Sequence, residues 1–518
     1  MRGSIVKAGP MASNAVLSHI DMSTHLVVCT HGVWGTRAHF NYIVEQLLET
    51  NSKTMEFYQD DSTCIEDSLA ELKSRQGDVV VIYRTRGNEG YSTYDGIDVC
   101  GARLAEEAET LISLIENNSD RKVDRLSMAG YSLGGLMSRY AVGLLYTRGV
   151  FNRIPPASFT TFCTPHVGVR VLGESRLASA FNSLAGSLMG KTGKQLFLED
   201  RVRVRETAMT DSNREQFSKP MPLLEIMSYA ESSFSKGLAA FQHRNLYANV
   251  VNDSRTAWYT AGIYDFDPFK GVNMESVTLP TVEGTNEIIV DTSRLNNIKL
   301  QQSDTSNLLA PPPEAIKQPP GWLERRFRWA KVIYNIAVTM PMYAVTWIAS
   351  AIFYGIISNR RRVQYAKGEY WKNNTSDDFV GALFNGKVHS PGDKSSESSS
   401  SSSSSQSHGH HRSHSLEEGA FRTALEDQVD KTMDSMFTAM EYKTTEGDTL
   451  DLTKTKLVLS DSQKTIIENL SKLKWDKTAI HIRATKQAHA GAIVRHPDPS
   501  FYEGKTVVKH WIDNKARL

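Results

Sequence analysis

The chain has 518 residues, a formal net charge of +1 and 40% hydrophobic residues. A length several times the ~150 residues of an ordinary domain allows a large buried core. So balanced a charge excludes the global field expected of a nucleic-acid binder or of a partner for strongly acidic ligands. Cys29, Cys64, Cys100 and Cys163 lack metal-ligand spacing and read as free thiols of a reducing compartment. Met1 to Asn14 lacks an apolar core of signal-peptide length, so secretion is not expected. Met11 is a second candidate start.

From residue 25 the chain alternates strand and helix signals. His25-Leu26-Val27-Val28-Cys29 reads as a short apolar strand, and Phe40 to Leu48 has helical apolar spacing. Val79 to Tyr83 reads as a buried strand. Gly101 to Asn117 reads as a helix with Leu104, Leu111, Ile112, Leu114 and Ile115 on one face. Ser158 to Cys163, Leu246 to Val251 and Thr478 to Ile482 are further strands. This βαβα order with β-branched strands predicts an α/β fold: a mostly parallel sheet with helices on both faces. Residues 1–24 are expected to be a flexible N-terminus and 25–300 the main core. Within that core, 169–243 carries few strand signals and reads as a helical insertion over the site mouth or as plain helical decoration.

Two segments interrupt this pattern, joined to the core by a linker over 301–331. Val332 to Ser358 has no charged residue and is fenced by Arg325, Arg326 and Arg328 before it and Arg360, Arg361 and Arg362 after it. As one helix it would be about 40 Å long, enough to cross a hydrocarbon layer of ~30 Å with tilt. Pro341 can bend it, and Tyr334, Tyr343, Trp347 and Tyr354 suit the polar boundary of a bilayer. The expectation is a hydrophobic anchor over 332–358, a hairpin or an in-plane segment, with a buried core helix as the competing reading. Residues 359–460 read as a partly disordered linker. Their stretch 395–416 is almost pure serine followed by His408, His410, His411 and His414, a composition that cannot build a core. Residues 461–518 read as the return of the core.

The chemistry starts at Gly130-Tyr131-Ser132-Leu133-Gly134, placed after the apolar run Leu126 to Ala129 and before a helix-spaced stretch, Gly135 to Gly143. Strand, Gly-x-Ser-x-Gly and helix together form a turn that holds a serine hydroxyl out at the top of a sheet. A serine needs a base, and the base needs an acid to orient it. In doubly wound hydrolases the order is serine, acid, histidine. Asp253 follows a strand end, with Asp265 and Asp267 as second choices that could instead cap turns. His489 follows the last strand, in Gln487-Ala488-His489-Ala490-Gly491. His481 alternates with apolar residues and reads as structural, and His496 and His510 have no comparable placement. The oxyanion hole calls for the backbone N–H of Leu133 and one from His31-Gly32-Val33-Trp34-Gly35, with Val33 first and Trp34 second. No metal and no organic cofactor is required.

These motifs, with Thr93-Tyr94-Asp95-Gly96-Ile97 and Thr164-Pro165-His166-Val167-Gly168, resemble the fungal serine esterase/lipase family of α/β-hydrolases, the yeast lipid droplet phospholipase type in particular. The resemblance covers roughly 26–297 and 467–511, plus the apolar segment in between. It implies the α/β-hydrolase fold, hydrolysis of acyl esters in glycerophospholipids and residence on lipid droplets; the endoplasmic reticulum membrane stays open as an alternative, and the basic flanks of the apolar segment favour the cytosolic face. Ser132 matches the family's nucleophile position, and His489 and Asp253 match positions expected for its base and acid. Ala257-Trp258 departs from the family pattern in a way that bears on pocket shape.

Position along the chain constrains the anchor. Ser132 and Asp253 precede it and His489 follows it, so a single bilayer crossing would part a serine from its base. The segment must therefore enter and leave on one side, which suits a lipid monolayer and its basic flanks. The expected partners are an acyl-ester substrate and a membrane or droplet monolayer, with no nucleic acid and no obligate protein partner. A neutral-lipid lipase or acyltransferase with the same triad stays open, as does a non-catalytic droplet scaffold.

Overall fold

The structure is a computed structural model. It describes residues 22–170, 172, 182, 186–187, 189–203, 219–269, 279–297, 353, 355–363 and 457–518. Of the segments read from the sequence, the N-terminal one (1–24) except 22–24, which begin a strand, the linker 301–331, the anchor except Phe353 and 355–358, and the Ser/His-rich tract lie outside the described residues.

Eight strands form one sheet. They are β1 (Met22–Thr30), β2 (Thr54–Glu56), β3 (Val79–Arg84), β4 (Arg121–Tyr131), β5 (Pro156–Phe162), β6 (His243–Asn249), β7 (Ile289–Val290) and β8 (Asp476–Ile480). Their order across the sheet is β2-β3-β1-β4-β5-β6-β8-β7. Every neighbouring pair is parallel except β7 with β8 at the edge. The doubly wound sheet expected from the alternating pattern is present, and most strands run longer than their apolar cores.

Alternation along the strands divides the core into two layers. Leu26, Val28, Val79, Val81 and Met128 point to one face, where they join α2 (Ser62–Ser74), α3 (Ile97–Asn118) and α4 (Leu133–Thr147). Val27, Cys29, Val80, Ile82 and Ala129 point to the other, against α1 (Asn41–Thr50) and the C-terminal helix Gly504–Asn514. α4 is buried on every side from Leu133 to Leu145, as a helix lodged between a sheet and other helices must be. Its apolar all-round composition follows from that place.

The insertion over 169–243 is not uniformly a cap. Its described part holds α5 (Gly190–Leu196), which packs on the turn Gly90–Asp95, and α6 (Ser233–Ala240), which packs on α4. The Phe234 ring lies 4.8 Å from Tyr140, so the end of the insertion belongs to the core.

The ends of the 359–460 stretch are also ordered into the fold. Residues 355–363 are helical, and Arg361 donates to both carboxylate oxygens of Asp95, at 3.0 and 3.2 Å. Arg103 pairs with the same carboxylate at 2.7 Å. Asp95 is fully buried, and two guanidinium groups compensate its charge. At the far end, Ser460 and Gln463 form a reciprocal capping box that starts α7 (Asp461–Ser471), satisfying two backbone donors that would otherwise lack partners.

Candidate active site

Three loops at the C-terminal ends of β4, β6 and β8 meet, the edge at which open α/β sheets place ligands. Ser132 follows β4 directly, with φ 56° and ψ −126°. That strained conformation lifts its hydroxyl above the sheet. The flanking glycines are demanded by close approach: a side chain at Gly134 would strike the Thr30 carbonyl, and one at Gly130 the backbone of Gly135.

His489 does not sit in a loop, as its sequence context suggests, but in a one-turn helix, α8 (Ala488–Gly491). Its Nε2 lies 2.9 Å from Ser132 Oγ, and its Nδ1 lies 3.0 Å from Asp253 Oδ2. With Nδ1–H donating to the carboxylate, Nε2 is left to accept the serine proton.

Asp253 is buried, and three donors hold it. These are the His489 ring, the Asn249 side-chain amide at 2.9 Å and the Thr256 backbone N–H at 2.8 Å. Burial alone would push its carboxyl up. The His489 charge and these hydrogen bonds outweigh it and hold the group below its ordinary value. The carboxylate is therefore ionised where it must orient an imidazole. Cys163 Sγ also lies near Asp253 and His489, but the Asn249 amide nitrogen donates to both Cys163 Sγ, at 3.2 Å, and Asp253. A donor facing both groups takes the place a cation would need, and burial keeps the thiol protonated. The set suits proton transfer rather than metal binding.

The loop after β1 closes in a β-turn, Gly35 N–H to Gly32 carbonyl at 3.1 Å, around Val33 and Trp34. Trp34 has φ 53°, and its N–H donates to Thr93 Oγ1 at 3.1 Å. That N–H is taken, which favours Val33 over Trp34 as the oxyanion donor. Leu133 opens α4, where a first-turn N–H has no intrahelical partner. Val33 and Leu133 line the same cleft as Ser132.

The other candidates are placed elsewhere. Asp267 Oδ1 accepts from the Phe269 N–H at 2.9 Å, a turn cap, and the Asp265 carbonyl accepts from Leu457 N–H. His481 follows β8 rather than lying in it, its N–H bonded to the Ile288 carbonyl at 2.8 Å. His510 Nδ1 pairs with the Tyr247 hydroxyl at 2.9 Å. His31 bonds the adjoining Gly32 carbonyl and shapes the loop.

The cleft, about 90 Å³, has an apolar wall of Val33, Trp34, Pro165, Met189, Leu196 and Phe197. Arg255, Arg495 and His39 complete it beside His489. Sequence reasoning passed over these three, and also Asn249 and Tyr131, whose hydroxyl donates to the His489 carbonyl at 3.1 Å. No local motif marks them, since each acts through a contact made only in the fold.

An elbow serine, an imidazole and a buried carboxylate above a mostly parallel sheet are the arrangement that serine hydrolases of the α/β-hydrolase type use. Residues 21–263 match the family described as "Putative serine esterase (DUF676)", a span that takes in Ser132 and Asp253 and ends before His489. The chain is similar to "Putative lipase ROG1" of Saccharomyces cerevisiae, 27% identical over 246 residues, 47% of this chain and 29% of that one. It is also similar to "Putative lipase C4A8.10" of Schizosaccharomyces pombe, 29% identical over 235 residues, 45% of this chain and 25% of that one. "Putative lipase YDL109C" of Saccharomyces cerevisiae is 26% identical over 258 residues, 48% of this chain and 32% of that one. The matched stretch thus spans only about a quarter to a third of these relatives' length.

Proposed function

We propose that this serine hydrolase cleaves acyl esters of glycerophospholipids at a cytosol-facing lipid surface, that of the lipid droplet. The observation that carries the reading is the continuous hydrogen-bond chain Ser132–His489–Asp253, opening on a cleft with an apolar wall. His489 Nε2 takes the Ser132 proton while Oγ forms a bond to the acyl carbonyl carbon. The carbonyl electron pair moves onto oxygen, held by the N–H groups of Val33 and Leu133. The intermediate collapses, the ester C–O bond breaks and the imidazolium protonates the leaving alcohol. Water, deprotonated by the same imidazole, then releases the fatty acid. Asp253 fixes the ring and stabilises its charge.

Two features support a lipid surface. Ser132 and His489 share one site although the apolar segment 332–358 lies between them in the chain, which favours a segment that enters and leaves on one side. The end of that segment is tied beside the cleft, because Arg361 grips Asp95, next to Tyr94, whose ring lies 5.9 Å from Trp34. Phe353, Ile356 and Val363 are exposed there. Among the described residues no helix is long and apolar enough to cross a membrane.

Product analysis tests the proposal. Purified protein, wild type and Ser132→Ala, is given phosphatidylcholine or triacylglycerol emulsions with and without an alcohol acceptor. Free fatty acid and lysophospholipid from the wild type alone support it. Release from triacylglycerol only, or transfer to the alcohol, points to a neutral-lipid lipase or an acyltransferase. No turnover of any ester leaves a scaffold.

A further inference from the structure

The cleft has two chemically different walls. One is the apolar wall described above. The other carries Arg255 and Arg495, which also line the small recess behind His489 with Asn252, Ser254 and Gln487. Among the described residues lining either space there is no carboxylate. A lining that combines apolar side chains, two arginines and one nucleophile complements an amphiphile whose anionic group lies close to its scissile ester.

Each arginine is supplied by a loop that also carries a member of the triad. Arg255 stands two residues after Asp253, and its loop is anchored by the Thr256 N–H on Asp253 Oδ1. Arg495 follows α8, the helix of His489, and is only 8% exposed. Its backbone N–H bonds the Ala490 carbonyl at 3.2 Å, and its Nε approaches His496 Nε2 at 3.2 Å. The residue before it, Val494, has φ 52°, a conformation that a β-branched side chain adopts only when its surroundings impose it. Arg495, directly after this turn, lines the cleft and the recess. Both arginines act electrostatically on His39, pressing its ring, already disfavoured as a cation by burial, well below the ordinary histidine range. Their positive field therefore falls within the cleft.

We infer that Arg255 and Arg495 form a phosphate subsite, which holds the phosphodiester of a glycerophospholipid while Ser132 attacks the neighbouring acyl ester. This rests on the phospholipase reading above and adds the group that recognises the phosphate. The phosphorus of a glycerophospholipid lies about 6 Å from the scissile carbonyl carbon when the intervening bonds are extended. Guanidinium suits the task, with five planar donors, so that an existing partner still leaves N–H groups for phosphate oxygens.

The test compares wild type with Arg255→Ala, Arg255→Lys, Arg495→Ala and the double alanine variant. Phosphatidylcholine and diacylglycerol of the same acyl chains are presented in the same mixed micelles. Fluorophosphonate labelling of Ser132 first certifies an assembled triad, and if Arg495→Ala fails it, the Arg255 pair decides. The expected result is a fall of roughly tenfold or more in the phosphatidylcholine-to-diacylglycerol ratio of kcat/KM in the alanine variants, carried mainly by KM, with partial recovery in Arg255→Lys. An unchanged ratio overturns the subsite. In a second arm, glycerol 3-phosphate should slow labelling of the wild type but not of the double variant, and should do so at lower concentration than inorganic phosphate. If the wild type cleaves diacylglycerol but not phosphatidylcholine, the phospholipase reading fails, and this arm alone then judges the subsite. Protection keeps a phosphate site, and its absence removes it. Equal protection by inorganic phosphate would make free phosphate the ligand and overturn the lipid assignment.

Discussion

The hydroxyl of Tyr131 donates a hydrogen bond to the backbone carbonyl of His489, 3.1 Å away and 358 residues along the chain. Tyr131 ends the strand that carries Ser132, so this bond ties the serine elbow directly to the histidine helix. A second tie joins that helix to the acid loop, from Ala488 N–H to the Asn252 carbonyl at 3.1 Å. The three triad loops are thus laced to one another by backbone groups as well as by their side chains.

Tyr131→Phe should loosen this lacing without removing any reacting group. A buried hydrogen bond contributes about 1 kcal/mol, and its loss leaves the His489 carbonyl with one partner fewer. The expected outcome is a kcat lowered about fivefold with KM nearly constant, measured by steady-state kinetics on a soluble ester. A wild-type kcat in a correctly folded variant would show that the ring alone, 5.1 Å from the imidazole, positions the histidine.

Asp253→Asn should cost far more, on the order of 10³ to 10⁴ in kcat, because the amide no longer enforces the productive tautomer. The neighbouring Asn249→Ala gives a finer test. Removing one donor to the ionised carboxylate raises its pKa toward the ordinary value. The acid limit of activity should then move to higher pH than in the wild type, as seen in a pH–rate profile. The sign for stability is the same. The contribution of Asp253 is present above the unfolded carboxyl value and is lost as pH falls through the lower folded one. Asn249→Ala should narrow that acid margin in a pH series of thermal melts.

Asp200 behaves in the opposite sense. Burial raises its carboxyl to about 6, against an unfolded value near 3.9. The folded state therefore holds the proton more tightly, and stability drains away as pH rises through the window between these values. Asp200→Asn keeps an oxygen for the Leu223 N–H, which Asp200 Oδ2 accepts at 2.8 Å, and removes the charge. The variant should gain on the wild type across that window and be more stable above it by up to about 3 kcal/mol, read by denaturant titration at several pH values. A difference that stays constant with pH would contradict the buried-carboxyl account.

Much of the site and most of the sheet were legible in the chain because local chemistry marks them. Gly-x-Ser-x-Gly between an apolar strand and an apolar helix can only be a tight elbow, and Asp253 and His489 follow strand ends in the order such sheets require. What escaped was short or made by distant contacts. β2 and β7 have three and two residues, too few to show alternation, and β1 begins at Met22 because Met22 and Ser23 find register partners at Arg121 and Lys122 of β4. α3 starts at Ile97 because Gly96, at φ 116°, breaks the chain direction, whereas apolar periodicity placed its start at Gly101. Asn249, Tyr131, Arg255 and Arg495 carry no motif, since their roles depend on what the fold brings beside them.

The buried Asp95 gives a stability test independent of catalysis. Asp95→Ala would leave Arg103 and Arg361 facing a space without their shared carboxylate. A loss of about 3 kcal/mol is expected, measured by chemical denaturation. Arg361→Ala leaves the Arg103 pair intact and should cost clearly less. Equal costs for the two variants would show that Arg361 carries the whole interaction.

The most direct measurement is the site and dependence of fluorophosphonate labelling, read by mass spectrometry of digested protein. The account predicts one adduct, on Ser132, formed rapidly by the wild type, slowed by orders of magnitude in His489→Ala and missing in Ser132→Ala. An adduct on another residue, or undiminished labelling of Ser132 in His489→Ala, would contradict it.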